Sequence, residues 1–269
     1  MVQFSLLMCV YEKDSPEALT QCLDSILSQT VMPDELIIVK DGPLTEALDA
    51  VLDALRFPNE LNIIALPENV TLGPARAEGV KAAKYEWIAI MDSDDICLPD
   101  RFEKQINMTN SNSELGLVGG QIAEFTDDPD NTVTTRTVPT SHKDIIKFAR
   151  KRNPFNHMAV MFKRETVIKA GHYRYFPWFE DYDLWARMIT NGVKCANHPD
   201  ILVHARIGDG MYKRRRGLAY IKSEWRMQKQ LKELGFIGGL GLIYNAAMRL
   251  PVRMLPEKGI EALYSKVVR

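Results

Sequence analysis

The chain has 269 residues, 46% of them apolar and 26% charged, enough to bury a substantial core and too hydrophobic to read as disordered. Its 34 basic residues nearly balance 35 acidic ones, so no global field favours nucleic acid, and any basic surface is local. Four scattered cysteines (Cys9, Cys22, Cys97, Cys195) form no C-x-x-C pair and suggest neither a disulfide scaffold nor a zinc site, which points to a reducing compartment.

The N-terminus has no basic n-region and is interrupted by Gln3, Glu12 and Lys13, which argues against a cleaved signal peptide. Phe4 to Val10 instead reads as a strand covered on both faces. Ser15-Pro16-Glu17 then starts a helix carrying Leu19, Cys22, Leu23, Ile26 and Leu27 at helical spacing. Strands at Leu36 to Val39 and Leu61 to Leu66 flank a helix built on Leu48, Val51, Leu52 and Leu55. A helix from Gly73 to Lys84 and a strand from Trp87 to Met91 close the series. This alternation predicts an α/β fold with a Rossmann-like, mostly parallel central sheet flanked by helices. Ligands bind such sheets beyond the carboxyl ends of the strands, which selects Val10-Tyr11-Glu12, Lys40-Asp41-Gly42 and Asp92-Ser93-Asp94-Asp95.

After Pro99 the pattern predicts a helix from Asp100 to Met108, a strand from Leu115 to Phe125, a polar turn at Asp127 to Asn131 and a basic helix from His142 to Arg152. A strand from His157 to Phe162, a helix from Asp181 to Asn191 and strands near Val193 and Ile201 follow, forming a mixed, acceptor-side half. Beyond Lys213 the chain turns basic and helical. No window holds the roughly 18 to 20 apolar residues that a membrane span needs.

Three carboxylates within four residues, Asp92, Asp94 and Asp95, repel one another unless a cation joins them, and Mg2+ or Mn2+ is usually held by one or two carboxylates plus phosphate oxygens. Read alone, they equally describe a solvated acidic turn. Asp41 could accept from a nucleobase imino group or form an Asp-Gly turn; Tyr11 could stack on a base or pack a loop. Glu180 and Asp181 could serve a reaction or simply complement a helix N-terminus.

Six segments in order resemble family 2 glycosyltransferases of the GT-A fold over about residues 3 to 205, especially small bacterial enzymes of capsule, exopolysaccharide and lipopolysaccharide assembly. They are Ser5 to Tyr11, Cys22 to Thr30, Glu35 to Gly42, Asn69 to Arg76, Trp87 to Asp95 with Leu98-Pro99-Asp100-Arg101, and Phe179 to Trp185. The resemblance implies a nucleotide-sugar site bordered by Val10, Tyr11, Glu12 and Asp41, with Arg76 near the base or diphosphate. It makes Asp92-Ser93-Asp94 the D-x-D motif, with Asp94 the direct ligand of Mn2+ or Mg2+ and Asp92 and Asp95 beside it. Asp181 becomes the general base, with Glu180 as the alternative, and His157 a contact for diphosphate or acceptor. Many relatives carry two acids where this chain has Lys40-Asp41; Asp41 matches the base-reading acid.

These readings predict a GT-A catalytic domain over residues 1–210, divided into a nucleotide-sugar half (1–98) and an acceptor half (99–210), and a basic, apolar helical extension over 211–269. The expected function is a metal-dependent, inverting hexosyltransferase that moves a hexose from a UDP-sugar to a growing, lipid-linked bacterial surface glycan in the cytoplasm or on the inner face of the plasma membrane, with no nucleic-acid partner. The other reading is a catalytically silent nucleotide- or glycan-binding subunit. A sugar-1-phosphate nucleotidyltransferase is disfavoured because no glycine follows the first strand. The run Lys213 to Arg216 and the apolar segment Phe236 to Tyr244 form either an interfacial membrane contact or a helix packed on the catalytic domain.

Overall fold

The computed structural model describes residues 2–208 and 216–254; residues 209–215, with Lys213, Arg214 and Arg215 of the basic run, and residues 255–269 lie outside the described residues. Strand β1 (Phe4–Val10) is buried along almost its whole length. Its alternation sends Phe4, Leu6, Met8 and Val10 to one face, where they meet helix α1 (Pro16–Leu27), and Leu7 to the other. Ser15 caps α1 by accepting from the Ala18 amide, and Pro16 occupies the first turn, where no N–H is needed.

Strand β2 (Glu35–Lys40) pairs in parallel with β1 on one side and carries β3 (Glu60–Ala65), also parallel, on its outer edge, and β4 (Trp87–Asp92) pairs in parallel with β1 on the other side. Helices α2 (Glu46–Ala54) and α3 (Leu72–Ala82) make the crossovers. The register sets Val10 opposite Lys40 and Cys9 opposite Asp92, so the three acidic segments emerge at one edge of the sheet. The chain runs outward from β1 to β3 and then returns to β4, which creates a topological switch between β1 and β4 at that edge.

The remainder comprises β5 (Ile96–Cys97), α4 (Arg101–Ser111), β6 (Leu115–Phe125), β7 (Thr134–Arg136), α5 (His142–Ala149), β8 (Met161–Lys163), α6 (Arg164–Lys169), α7 (Glu180–Thr190) and β9 (Lys194–Arg206). The sheet order is β3-β2-β1-β4-β8-β6-β9-β5, with β7 on β6. β8 is antiparallel to β4 and β6, whereas β6 and β9 run parallel with register shifts.

Two expectations are corrected. Residues 157 to 162 are not one strand: His157–Ala159 is a 3-10 turn, and β8 begins only at Met161. Side chains take the place of strand partners there, since Gln105 Nε2 donates to the Ala159 carbonyl and Asn156 Nδ2 to that of Gly120. The strands near Val193 and Ile201 are one, β9, because shifts between Gly119 and Ile122 absorb the irregularity instead of ending it. Beyond it, α8 (Leu218–Glu233) and α9 (Gly239–Arg249) pack on the acceptor half, with Ser223 Oγ donating to the Pro177 carbonyl at 2.7 Å.

Candidate active site

One rim of the candidate site forms where β1 and β2 end. The Asp41 amide donates to the Val10 carbonyl at 2.8 Å, and its carboxylate accepts from the Val70 amide at 2.7 Å. Asp41 therefore ties the two strand ends to the loop before α3, and burial raises its pKa. Gly42 (φ +89) follows because a Cβ there would meet the Asn69 amide nitrogen at 2.8 Å. Tyr11 is 37% exposed on the loop after β1. Glu12 is exposed at the same loop, and among the described residues no hydrogen bond or ion pair ties it to the others.

Asp14, absent from the sequence-derived set, organises this loop. Its Oδ2 accepts from the Tyr11 amide at 3.1 Å and from Ser93 Oγ at 2.8 Å, joining the β1 loop to the acidic run after β4. Nothing in periodicity singles out an acid three residues past a tyrosine; only the fold brings Ser93 to it.

Asp92, Ser93, Asp94 and Asp95 diverge. Asp92 turns inward: its Oδ1 accepts from Arg76 Nη2 at 2.7 Å, and Arg76 Nη1 lies 3.6 Å from Glu180 Oε1. Burial by itself would raise Asp92, but Arg76 overrides it and holds the carboxyl below its usual range. His157 Nδ1 stands 3.8 Å from the same oxygen, too far for a hydrogen bond, and this buried nitrogen has no partner. Burial, then the charge of Arg76, lower the pKa of His157. Its Nε2 is 3.1 Å from the Tyr173 hydroxyl, and its ring stacks on Trp185 at 6.0 Å.

Asp95 points the other way, accepting from the Arg206 amide at 2.7 Å through Oδ1, while its buried Oδ2 is unsatisfied. Asp94 is exposed, and Arg206 Nε donates to its carbonyl at 3.0 Å. Although the residue is exposed, partial desolvation of the carboxyl by the surrounding protein, then the charge of Asp92, raise Asp94 to about 6. Among the described residues, no three His, Cys, Asp or Glu side chains converge as a preformed metal cage. A protein carboxylate raised by its neighbours, beside an orphaned Asp95 oxygen, does fit Mg2+ or Mn2+ completed by phosphate oxygens and water.

On the acceptor side, α7 begins with Glu180 and Asp181, whose charges favour the helix N-terminus. Asn153 Nδ2 donates to Asp181 Oδ2 at 2.6 Å, and the Tyr182 amide to Asp181 Oδ1 at 2.6 Å, which orients the carboxylate. Burial, then Asp181, raise Glu180 to about 7 despite Arg76. Phe176 and Phe179 are core residues; Trp178 (φ +66) is 43% exposed, its ring 5.2 Å from that of Tyr220. The structure thus joins Asp92, Arg76, His157 and Glu180, places Asp181 next to them in sequence, and sets Val10, Tyr11 and Asp41 on a rim along the same sheet edge.

Comparison with known proteins identifies the family and the fold. The model of "Glycosyl transferase family 2" matches residues 5–174. The amylovoran biosynthesis glycosyltransferase AmsE of Erwinia amylovora is 42% identical over 266 residues, covering 98% of each chain. The UDP-Gal:alpha-D-GlcNAc-diphosphoundecaprenol beta-1,3-galactosyltransferase of Escherichia coli is 34% identical over 267 residues, covering 99% of this chain and 97% of that one. Among solved structures, the Pyrobaculum calidifontis mannosyltransferase PcManGT in complex with GDP-Man and Mn2+ superposes with TM-score 0.67 at 15% identity, over 98% of this chain and 75% of that one. S. aureus TarS 1–349 in complex with UDP-GlcNAc gives 0.65 at 14% identity, over 98% and 73%. With its GT-A architecture and a family match over most of its length, this chain belongs to glycosyl transferase family 2.

Proposed function

We propose that this glycosyltransferase moves a hexose from a UDP-sugar, with inversion, to a hydroxyl of a growing, lipid-linked bacterial surface glycan, acting on the inner face of the plasma membrane. The observation that carries the reading is the chain Asp92–Arg76–Glu180, which links the acidic run after β4 directly to the start of α7. An inverting transfer needs donor phosphate and acceptor base on two sides of one anomeric carbon, and a cation shared by acids of two different elements supports that reading. A uridine donor and a lipid-linked acceptor are supported by the E. coli relative, named for UDP-Gal and a diphosphoundecaprenol, and a surface glycan by the amylovoran enzyme.

In the proposed reaction Asp181, oriented by Asn153, accepts the proton of the acceptor hydroxyl as its oxygen bonds the anomeric carbon. The bond from that carbon to the diphosphate oxygen breaks, and the electron pair leaves with the nucleoside diphosphate. Arg76 and His157, both set against Asp92, would face the departing group. Asp94, with Asp92 and Asp95 beside it, would hold Mn2+ or Mg2+, which supplies charge neutralisation to the diphosphate. Tyr11 and Asp41 contact the nucleoside.

Calorimetric titration with a panel of UDP-sugars, with manganese and with chelator, tests the reading. Metal-dependent binding of one sugar is expected, weakened about 10- to 100-fold in Asp94→Ala. Failure of every UDP-sugar to bind would leave the silent-subunit reading in its place.

A further inference from the structure

Helix α9 is amphipathic in the reverse sense. Its polar residues face the protein: Asn245 Nδ2 donates to the Arg150 carbonyl at 2.9 Å and to Gln228 Oε1 at 2.8 Å, and Arg249 pairs with the fully buried Glu224 at 2.6 Å. Its apolar residues face solvent, with Leu240 86%, Ile243 66%, Tyr244 58% and Met248 60% exposed, at the spacing of one helical stripe. Leu218 and Met254, also largely exposed, meet at one shallow depression beside it, and the Gly217 amide donates to the Arg253 carbonyl. A contiguous exposed apolar stripe marks a contact surface rather than a solvated one.

Charge selects the partner. No Asp or Glu occurs between Ile237 and Met254, nor between Ile145 and Arg164. The second stretch brings exposed Arg150 and Lys151 against α9, where Arg249 also donates to the Lys151 carbonyl. A second copy of the chain laid on this face would set cations against cations, whereas an anionic lipid surface accepts both the stripe and its basic border.

We propose that α9 and the adjoining Arg150-Lys151 corner form an interfacial docking surface for an anionic phospholipid bilayer, in which the stripe enters the headgroup region and the helix lies parallel to the membrane. The surface is joined to the chemistry by four residues: Arg150 accepts from α9, and Asn153 holds Asp181 at 2.6 Å. A bilayer at α9 therefore lies on the acceptor side, where a lipid-borne hydroxyl would reach the base. This extends the proposed function by naming where the acceptor is met, but vesicle binding requires no sugar transfer, so either can fail without the other.

Co-sedimentation of the full chain with phosphatidylcholine vesicles, with and without phosphatidylglycerol, tests it, alongside light scattering for oligomeric state. Binding to the anionic vesicles is expected, weakened about tenfold or more by Ile243→Glu with Met248→Glu. Arg150→Gln and Lys151→Gln should each cost about fivefold, and high salt should reduce binding in the wild type. All these positions are exposed, and UDP-sugar binding in the variants checks their folding. Absence of wild-type binding, equal binding by the Glu variant, or a dimer that the Glu variant dissolves would overturn the proposal; the last would assign the face to a second copy.

Discussion

Arg76 is 4% exposed at its side chain, and its two carboxylate partners, Asp92 at 2.7 Å and Glu180 at 3.6 Å, come from the ends of different elements. Such a guanidinium cannot be neutralised, so it forces one acid to stay ionised while its neighbour absorbs the burial. Asp92 is held below its usual range, and Glu180 rises from 4.5 to about 7. The raised Glu180 binds its proton more tightly in the folded than in the unfolded state, so between about 4.5 and 7 folding stability falls as pH rises. In chelator and without donor, Glu180→Gln should therefore be more stable than the wild type at pH 8, on the order of 1–3 kcal/mol, and equal to it at pH 4. Thermal melts at the two pH values decide it; a loss of stability at pH 8 would assign Glu180 a net favourable pairing with Arg76. The two acids at the start of α7 also separate by role. Asp181→Asn should keep UDP-sugar affinity while reducing transfer about 100-fold or more, whereas wild-type turnover in that variant would move the base to Glu180.

Elements set the tolerance of the site to error. Helix α3 delivers Arg76 beneath the acidic run, and it reaches that depth because Gly79 lies against β1, where a Cβ would stand 2.2 Å from Leu7 Cδ1. Gly79→Ala gains helix propensity of about 1 kcal/mol but must displace a fully packed leucine, which typically costs about 1–3 kcal/mol. A lower midpoint in urea is expected, with weakened donor binding as Arg76 shifts; unchanged stability would show that Leu7 repacks freely. At this scale the apolar periodicity of the first half was readable, because both faces of a parallel sheet demand it. Residues 157 to 162 were not, because the side-chain contacts that replace strand pairing there, Gln105 to the Ala159 carbonyl and Asn156 to the Gly120 carbonyl, join positions distant in sequence.

Across the whole molecule, one buried acid joins the C-terminal helices to each other. Glu224 of α8 is fully buried and pairs with Arg249 at 2.6 Å and Arg253 at 3.3 Å. Removing it strands two cations, so Glu224→Ala should cost about 3–5 kcal/mol. Because α8 rests on the acceptor half, hydrogen exchange should rise in α8 and α9 before β1 to β4; uniform exposure would mean that the chain unfolds as one unit. Among the described residues no helix is long and apolar enough to cross a membrane.

The identity of the sheet, its acidic strand ends and the acids of α7 were determined by the sequence itself, since alternating apolar runs, a Ser-Pro-Glu helix start and three carboxylates in four residues each carry a local physical signal. Which of those acids face one another was decided only by the tertiary structure. Asp14 reaches Ser93 across 79 positions, Arg76 reaches both Asp92 and Glu180, and Asn153 reaches Asp181, none of them at a spacing that helix or strand periodicity encodes. The outward turn of Leu240, Ile243 and Met248 was decided there too, because the buried acid that draws Arg249 inward lies in a different helix.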